Sequence, residues 1–215
     1  MILPTSKIFV FDLDDTLYSE RDFEKSGIEF VYKYFEINHI PLDSILSKRK
    51  NWIDQIISGS NKKITTQMVL DIYRFHLPSI ELYKDSKIFL DMLLSLGYEM
   101  SIITDGRSIT QRNKLKALGI ESYFKNIVIS EEVNSEKPCE YNFKLVMSYQ
   151  HTENYIYIAD NPNKDFITPN KLGWTTICLL DRGQNVHKQN FNLSTDFLPH
   201  YSINTFKEII LKNEK

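Results

Sequence analysis

Ile8-Phe9-Val10-Phe11-Asp12-Leu13-Asp14-Asp15-Thr16 reads as a strand that ends abruptly in acid. Side chains two apart in a strand point the same way, so Asp12 and Asp14 start on one side. Carboxylates this close repel each other and resist burial. A bound cation would offset that cost, and hard divalent ions favour oxygen ligands. A solvated acidic turn is the alternative, and the rest of the chain has to decide between the two.

A chain of 215 residues suits one sizeable domain or a domain plus a subdomain. A hydrophobic fraction of 42% is ordinary for a globular protein. The net charge of -2 argues against a polyanion-binding surface, so no nucleic-acid partner is expected. The basic clusters Lys48-Arg49-Lys50 and Lys62-Lys63 read as solvated helix faces. The cysteines, Cys139 and Cys178, make no disulfide framework, and no His/Cys cluster has zinc spacing. No stretch resembles a secretion signal, and no apolar run is long enough to cross a membrane. A cytoplasmic location and no membrane partner are the expectation. His39, His76, His151, His187 and His200 are scattered without ligand spacing and read as non-catalytic.

Working outward from the acidic stretch, short apolar runs recur at Ile8 to Phe11, Met100 to Ile103, Asn126 to Ile129, Tyr155 to Ala159 and Thr175 to Leu180. Helical patterns separate them. Ser86 is placed to cap a helix closed by Gly97, and Gln111 to Leu118 is closed by Gly119. Tyr141 to Tyr149 follows Pro138, and Lys164 to Leu172 is interrupted by Pro169. This alternation predicts an α/β fold, a parallel sheet with helices on both faces and its site at the carboxyl ends of the strands. Residues 19–83 break the pattern with about 60 residues and no strand, far beyond an ordinary connection. Ile28, Val31 and Phe35 fit one helical face; Trp52, Ile53, Ile56 and Ile57 a second; Met68, Val69, Ile72, Tyr73 and Phe75 a third. A small all-helical subdomain over the same strand ends is expected, with 1–18 and 84–215 as the core.

Further motifs stand at the later strand ends: Ile102-Ile103-Thr104-Asp105-Gly106, Ser135-Glu136-Lys137-Pro138, and Ala159-Asp160-Asn161-Pro162-Asn163-Lys164-Asp165. Each is weak singly. In this order, with the acidic motif before them, they resemble the haloacid dehalogenase-like (HAD) hydrolase superfamily over nearly the whole chain. The resemblance implies a Rossmann-like core and a helical cap at 19–83.

It also implies roles. Asp12 matches the nucleophile that becomes an aspartyl-phosphate, and Asp14 the general acid/base. Asp12, Asp14, Asp160 and Asp165 match the metal positions, with Asp14 contributing a backbone carbonyl and Asp165 acting as a ligand or orienting a metal-bound water. Thr104 would hydrogen-bond a phosphate oxygen, and Lys137 would pair with nucleophile and phosphate. Asp105, Gly106 and Arg107 complete the expected substrate contacts. Thr16 is expected to hold the loop shape. Ala159 stands where the family usually has glycine, and Asp105 where asparagine is common, adding a negative charge that Arg107 or the metal would balance. Arg107 and Arg112 either bind a second phosphate or carboxylate or are surface charges. The expected activity is Mg²⁺-dependent hydrolysis of a small phosphorylated metabolite, a sugar phosphate or nucleotide-like compound. A phosphomutase and a non-catalytic binding module are the alternatives. Metal-free haloacid dehalogenation is disfavoured, because it does not need Asp14, Asp160 and Asp165 as a set.

Overall fold

The computed structural model describes residues 2–3, 8–149 and 154–211. In chain order the strands are β1 (Ile2–Leu3), β2 (Ile8–Phe11), β3 (Met100–Thr104), β4 (Asn126–Ile129), β5 (Tyr155–Ala159), β6 (Thr175–Leu179), β7 (Tyr201–Ile203) and β8 (Ile210–Leu211). Six of them form one parallel sheet, ordered β4-β3-β2-β5-β6-β7, and β1 pairs in parallel with β8. The helices are α1 (Glu20–Tyr34), α2 (Leu42–Ser47), α3 (Trp52–Gly59), α4 (Thr66–Phe75), α5 (Lys84–Ser95), α6 (Ser108–Leu118), α7 (Ser130–Val133), α8 (Glu140–Tyr149) and α9 (Ile167–Lys171). No helix of the described residues is long and apolar enough to cross a membrane.

The central strands β2 and β5 are buried at every position and carry only apolar and aromatic residues, because both faces of the sheet are covered. Phe9, Phe11, Ile102, Ile156 and Ile158 face one core, closed by Phe89 and Leu93 of α5, Leu115 of α6 and Phe206. Val10, Ile103, Val128, Tyr157 and Ala159 face the other, closed by Phe143 and Val146 of α8 and by Trp174. From β2 the chain runs to β3 and β4 on one side, then returns to β5 on the other. That reversal opens a crevice at the carboxyl end of β2, where Asp12 stands.

The helical stretch leaves and rejoins the sheet at one place. Tyr18 bridges Leu82, and the Tyr83 N–H donates to the Leu17 carbonyl. Between these points Ile28, Val31, Phe35, Ile45, Ile56 and Val69 form a third apolar cluster. Val69, buried, and Ile72 and Tyr73, half-buried, make the inward stripe of α4. Met68 and Phe75, seven apart on its flank, stay exposed although the apolar pattern had grouped them with the stripe. The stretch docks on α6: the Asn113 side-chain amide donates to the carbonyls of Phe75 and His76, each at 3.1 Å.

Other elements differ from the sequence reading. Ser86 does not cap α5, which starts two residues earlier; its hydroxyl donates to the Leu17 and Tyr83 carbonyls instead. The helix expected from Lys164 starts only at Ile167, so Pro169 falls in its first turn, where a missing N–H is tolerated.

Asp85 ties α5 to the end of the chain. Its carboxylate accepts both Arg182 guanidinium nitrogens (2.8 and 2.6 Å), the Thr205 hydroxyl (2.6 Å) and the Phe206 N–H (2.9 Å). Burial would raise its pKa, but these donors outweigh burial and hold the carboxyl far below the usual carboxylate range. Its stabilising effect is therefore complete above the ordinary aspartate pKa and is lost only as pH falls below it. Asp85→Ala leaves the buried Phe206 N–H and the Arg182 fork unpaired. The expected loss is about 3 kcal/mol, read by urea unfolding at neutral pH and vanishing in strong acid.

Candidate active site

β2 delivers Asp12 and Asp14, β3 ends in Thr104, Lys137 lies ahead of α8, and Asp160 follows β5. Asp12, Asp160 and Asp165 are buried, and each offers an oxygen within 4.8 Å of the other two. Lys137 is fully buried beneath them. Its ammonium lies 2.8 Å from Asp12 Oδ1 and 2.7 Å from Asp165 Oδ1, and donates to the Tyr157 hydroxyl at 3.2 Å. Burial lowers the lysine's proton affinity, but the facing carboxylates win and hold it well above its ordinary value. Burial pushes Asp12 up to about 6 against the pull of Lys137. Burial, then Asp12 and Asp165, push Asp160 well above its usual range. One lysine thus leaves three buried carboxylates undercompensated. A hard divalent ion fits this donor set, since it supplies the missing charge and prefers carboxylate oxygen.

Asp14 is absent from that cluster. Its carboxylate turns to α6, accepting from Lys114 Nζ at 2.7 Å, Gln111 Nε2 at 2.9 Å and the Tyr18 hydroxyl. Burial raises its pKa, yet Lys114 and these hydrogen bonds bring it below the ordinary value. Gln111 Nε2 also donates to Thr104 Oγ1 at 2.6 Å, linking the expected acid/base to the expected phosphate contact. Gln111 and Lys114 are three apart on α6 and so face one way. No local pattern in the sequence pairs Lys114 with Asp14, because the two lie 100 positions apart.

Asp105 accepts the Lys137 N–H at 3.0 Å and Lys164 Nζ at 2.8 Å. Its extra charge is balanced by Lys164; Arg107 instead reaches Glu131 at 3.4 Å. Gly106 and Arg107 line a separate cavity with Ser130 and Glu131. Gly106 has a φ of 144°, open to glycine, and a Cβ there would crowd Gln111 at 3.1 Å.

The acidic loop is held by Asp15. It sits at φ 54° and accepts N–H groups from Glu20 (2.9 Å) and Val186 (2.7 Å). The Thr16 hydroxyl, buried, has no hydrogen-bond partner among the described residues. Asn185, also unmarked by the sequence, donates to Asp160 Oδ2 at 2.8 Å, and Gln189 donates to the Asp160 carbonyl at 2.6 Å. These groups surround a polar cavity of about 170 Å³ lined by Asp12, Asp14, Thr104 and Asp160, with Glu20 and His187 also reaching it.

Buried acids on the central strand ends, a lysine beneath them and a helical stretch over them define the class. The chain belongs to the haloacid dehalogenase-like hydrolase family, whose profile matches residues 9–179. Among curated relatives it is similar to the glyceraldehyde 3-phosphate phosphatases of Methanocaldococcus jannaschii (27% identical over 97% of this chain and 98% of that one) and Methanopyrus kandleri (25%, with 95% of each covered). Among solved structures it resembles the HAD-hydrolase YfnB of Bacillus subtilis in its magnesium-bound form, with TM-score 0.71 at 17% identity, covering 94% of this chain and 96% of that one.

Proposed function

We propose that this chain is a Mg²⁺-dependent phosphoric monoester hydrolase acting on a small sugar phosphate through an aspartyl-phosphate. The observation that carries the reading is the meeting of Asp12, Asp160 and Asp165 within 4.8 Å of one another, in the cavity that Thr104 and Asp14 also line. Relatives named glyceraldehyde 3-phosphate phosphatase, matching along nearly the whole chain, support a sugar phosphate over a nucleotide. Residues 19–83 act as the cap and 1–18 with 84–215 as the core. A cytoplasmic location goes with such a substrate.

Mg²⁺ would be held by Asp12, Asp160 and Asp165 with the Asp14 backbone carbonyl, and when bound it would neutralise phosphate and carboxylate charge. With its pKa near 6, Asp12 is mainly ionised at neutral pH, as a nucleophile must be. Its oxygen attacks phosphorus while the bond to the leaving oxygen breaks. Thr104 and Lys137 hold the phosphoryl oxygens. Asp14 gives its proton to the leaving alkoxide, and the incoming phosphate dianion helps it carry that proton despite Lys114. In the second step Asp14, again in the form Lys114 and Gln111 stabilise, takes a proton from the water that splits the aspartyl-phosphate.

EDTA should reduce phosphate release from glyceraldehyde 3-phosphate to background, and added Mg²⁺ should restore it. Independently of activity, saturating Mg²⁺ should raise the melting temperature through mass action, by about 2–4 °C per kcal/mol of binding. Metal-independent turnover, or no phosphate release from any short sugar phosphate, would refute the reading.

A further inference from the structure

The arginines that the sequence offered for a second anion are committed elsewhere. Arg112 pairs with Glu132 at 2.8 Å and with Glu121 at 3.4 Å, and Arg107 with Glu131 at 3.4 Å. Among the described residues, Lys164 is the only lysine or arginine lining the cavity, and it is already 2.8 Å from Asp105. Lys137 and Lys114 are already bound to Asp12, Asp165 and Asp14 at the phosphoryl end. These cations and one divalent ion match a single phosphoryl group.

What remains for the rest of the substrate is acidic or neutral. Glu20, the first residue of α1, reaches the cavity from the helical stretch, alongside Asp15, Asn161 and His187. No donor among the described residues hydrogen-bonds the Glu20 carboxyl, so it is available to a ligand. Burial, then Asp14, push that carboxyl up to about 8. Glu20 is therefore mainly neutral at pH 7 and offers a hydrogen bond, while Asp12, Asp14, Asp15 and Asp160 give the cavity its negative field. The cavity, about 170 Å³, is also well below the roughly 300–1,000 Å³ of sites for drug-sized ligands.

We propose, resting on the phosphatase reading above, that the site selects phosphomonoesters with a short, uncharged, hydroxyl- or carbonyl-bearing tail and rejects tails carrying a carboxylate or second phosphate, with Glu20 as the neutral hydrogen-bonding contact beside that tail. A hydroxyl or carbonyl can exchange hydrogen bonds with Glu20, Asn161 and His187. An anionic tail finds no free cation and several facing acids, a like-charge arrangement that suppresses the wrong partner.

A matched pair tests this. Glyceraldehyde 3-phosphate and 3-phosphoglycerate share a carbon skeleton and differ by aldehyde against carboxylate. With Mg²⁺ present, kcat/KM should favour the aldehyde by about 100-fold. Glu20→Lys should raise kcat/KM for 3-phosphoglycerate about tenfold, mainly through KM, without raising it for the aldehyde. Glu20→Gln should keep the aldehyde preference. Equal turnover of both substrates by the unaltered enzyme overturns the selection while leaving the phosphatase reading standing. A Glu20→Lys variant that moves both substrates together overturns the role of Glu20. Turnover of neither substrate overturns the phosphatase reading and this inference with it.

Discussion

Asp12→Asn should reduce phosphate release by at least about 10³-fold, because the amide cannot form the acyl-phosphate on which both steps depend. The variant should nevertheless fold. Asp12 is one of three buried carboxylates sharing one lysine, and burial already pushes it up to about 6. Replacing it with a neutral isostere removes a repulsive charge, and Lys137 keeps Asp165 at 2.7 Å. The metal-free melting temperature should equal or exceed that of the unaltered protein, while the rise on adding Mg²⁺ should shrink because one ligand is gone. Retained turnover in this variant would exclude Asp12 as nucleophile. A large loss of stability would instead contradict the charge balance described for the cluster.

Lys137→Met should damage both stability and rate. The ammonium is fully buried between Asp12 and Asp165, so its removal leaves buried carboxylates without a counter-charge. Breaking a buried pair in this way typically costs about 3–5 kcal/mol. The rate should fall by roughly 10²–10³-fold, the usual effect of losing one electrostatic contact to the transferring group. The two losses should separate on adding Mg²⁺. Saturating ion should recover much of the melting temperature by supplying positive charge to the same oxygens, but not the rate, because the contact to the phosphoryl oxygens stays missing. Calorimetry with and without Mg²⁺, beside phosphate release, reads both. An unchanged metal-free melting temperature would show that the lysine does not neutralise the cluster.

The parallel sheet was legible because its strands are buried on both faces. Such strands are mainly apolar runs, and Ile8–Phe11, Asn126–Ile129 and Tyr155–Ala159 end where the apolar run ends. β7 was missed because Tyr201 and Ser202 at the sheet edge are exposed, so its sequence carries no apolar run. The acids at the strand ends were legible for a related reason: an aspartate directly after a buried strand must stand at the site-bearing edge of the sheet. Lys137 and Thr104 came from their order among the motifs, not from any local pattern.

The groups around those acids had no such signal. Lys114 reads as an ordinary helix lysine until α6 packs beside β2, and Asn185 reads as a loop residue until its amide meets Asp160. Arg107 shows the same limit from the other side: proximity to a motif suggested a substrate contact, whereas folding pairs it with Glu131. The chain alone specified the central strands, most of the helices and which carboxylates sit at strand ends, because burial and backbone periodicity act between near neighbours. Which cation answers which carboxylate, and what charge the substrate tail meets, was decided only by three-dimensional packing, because electrostatic pairing depends on distance in space and not on separation along the chain.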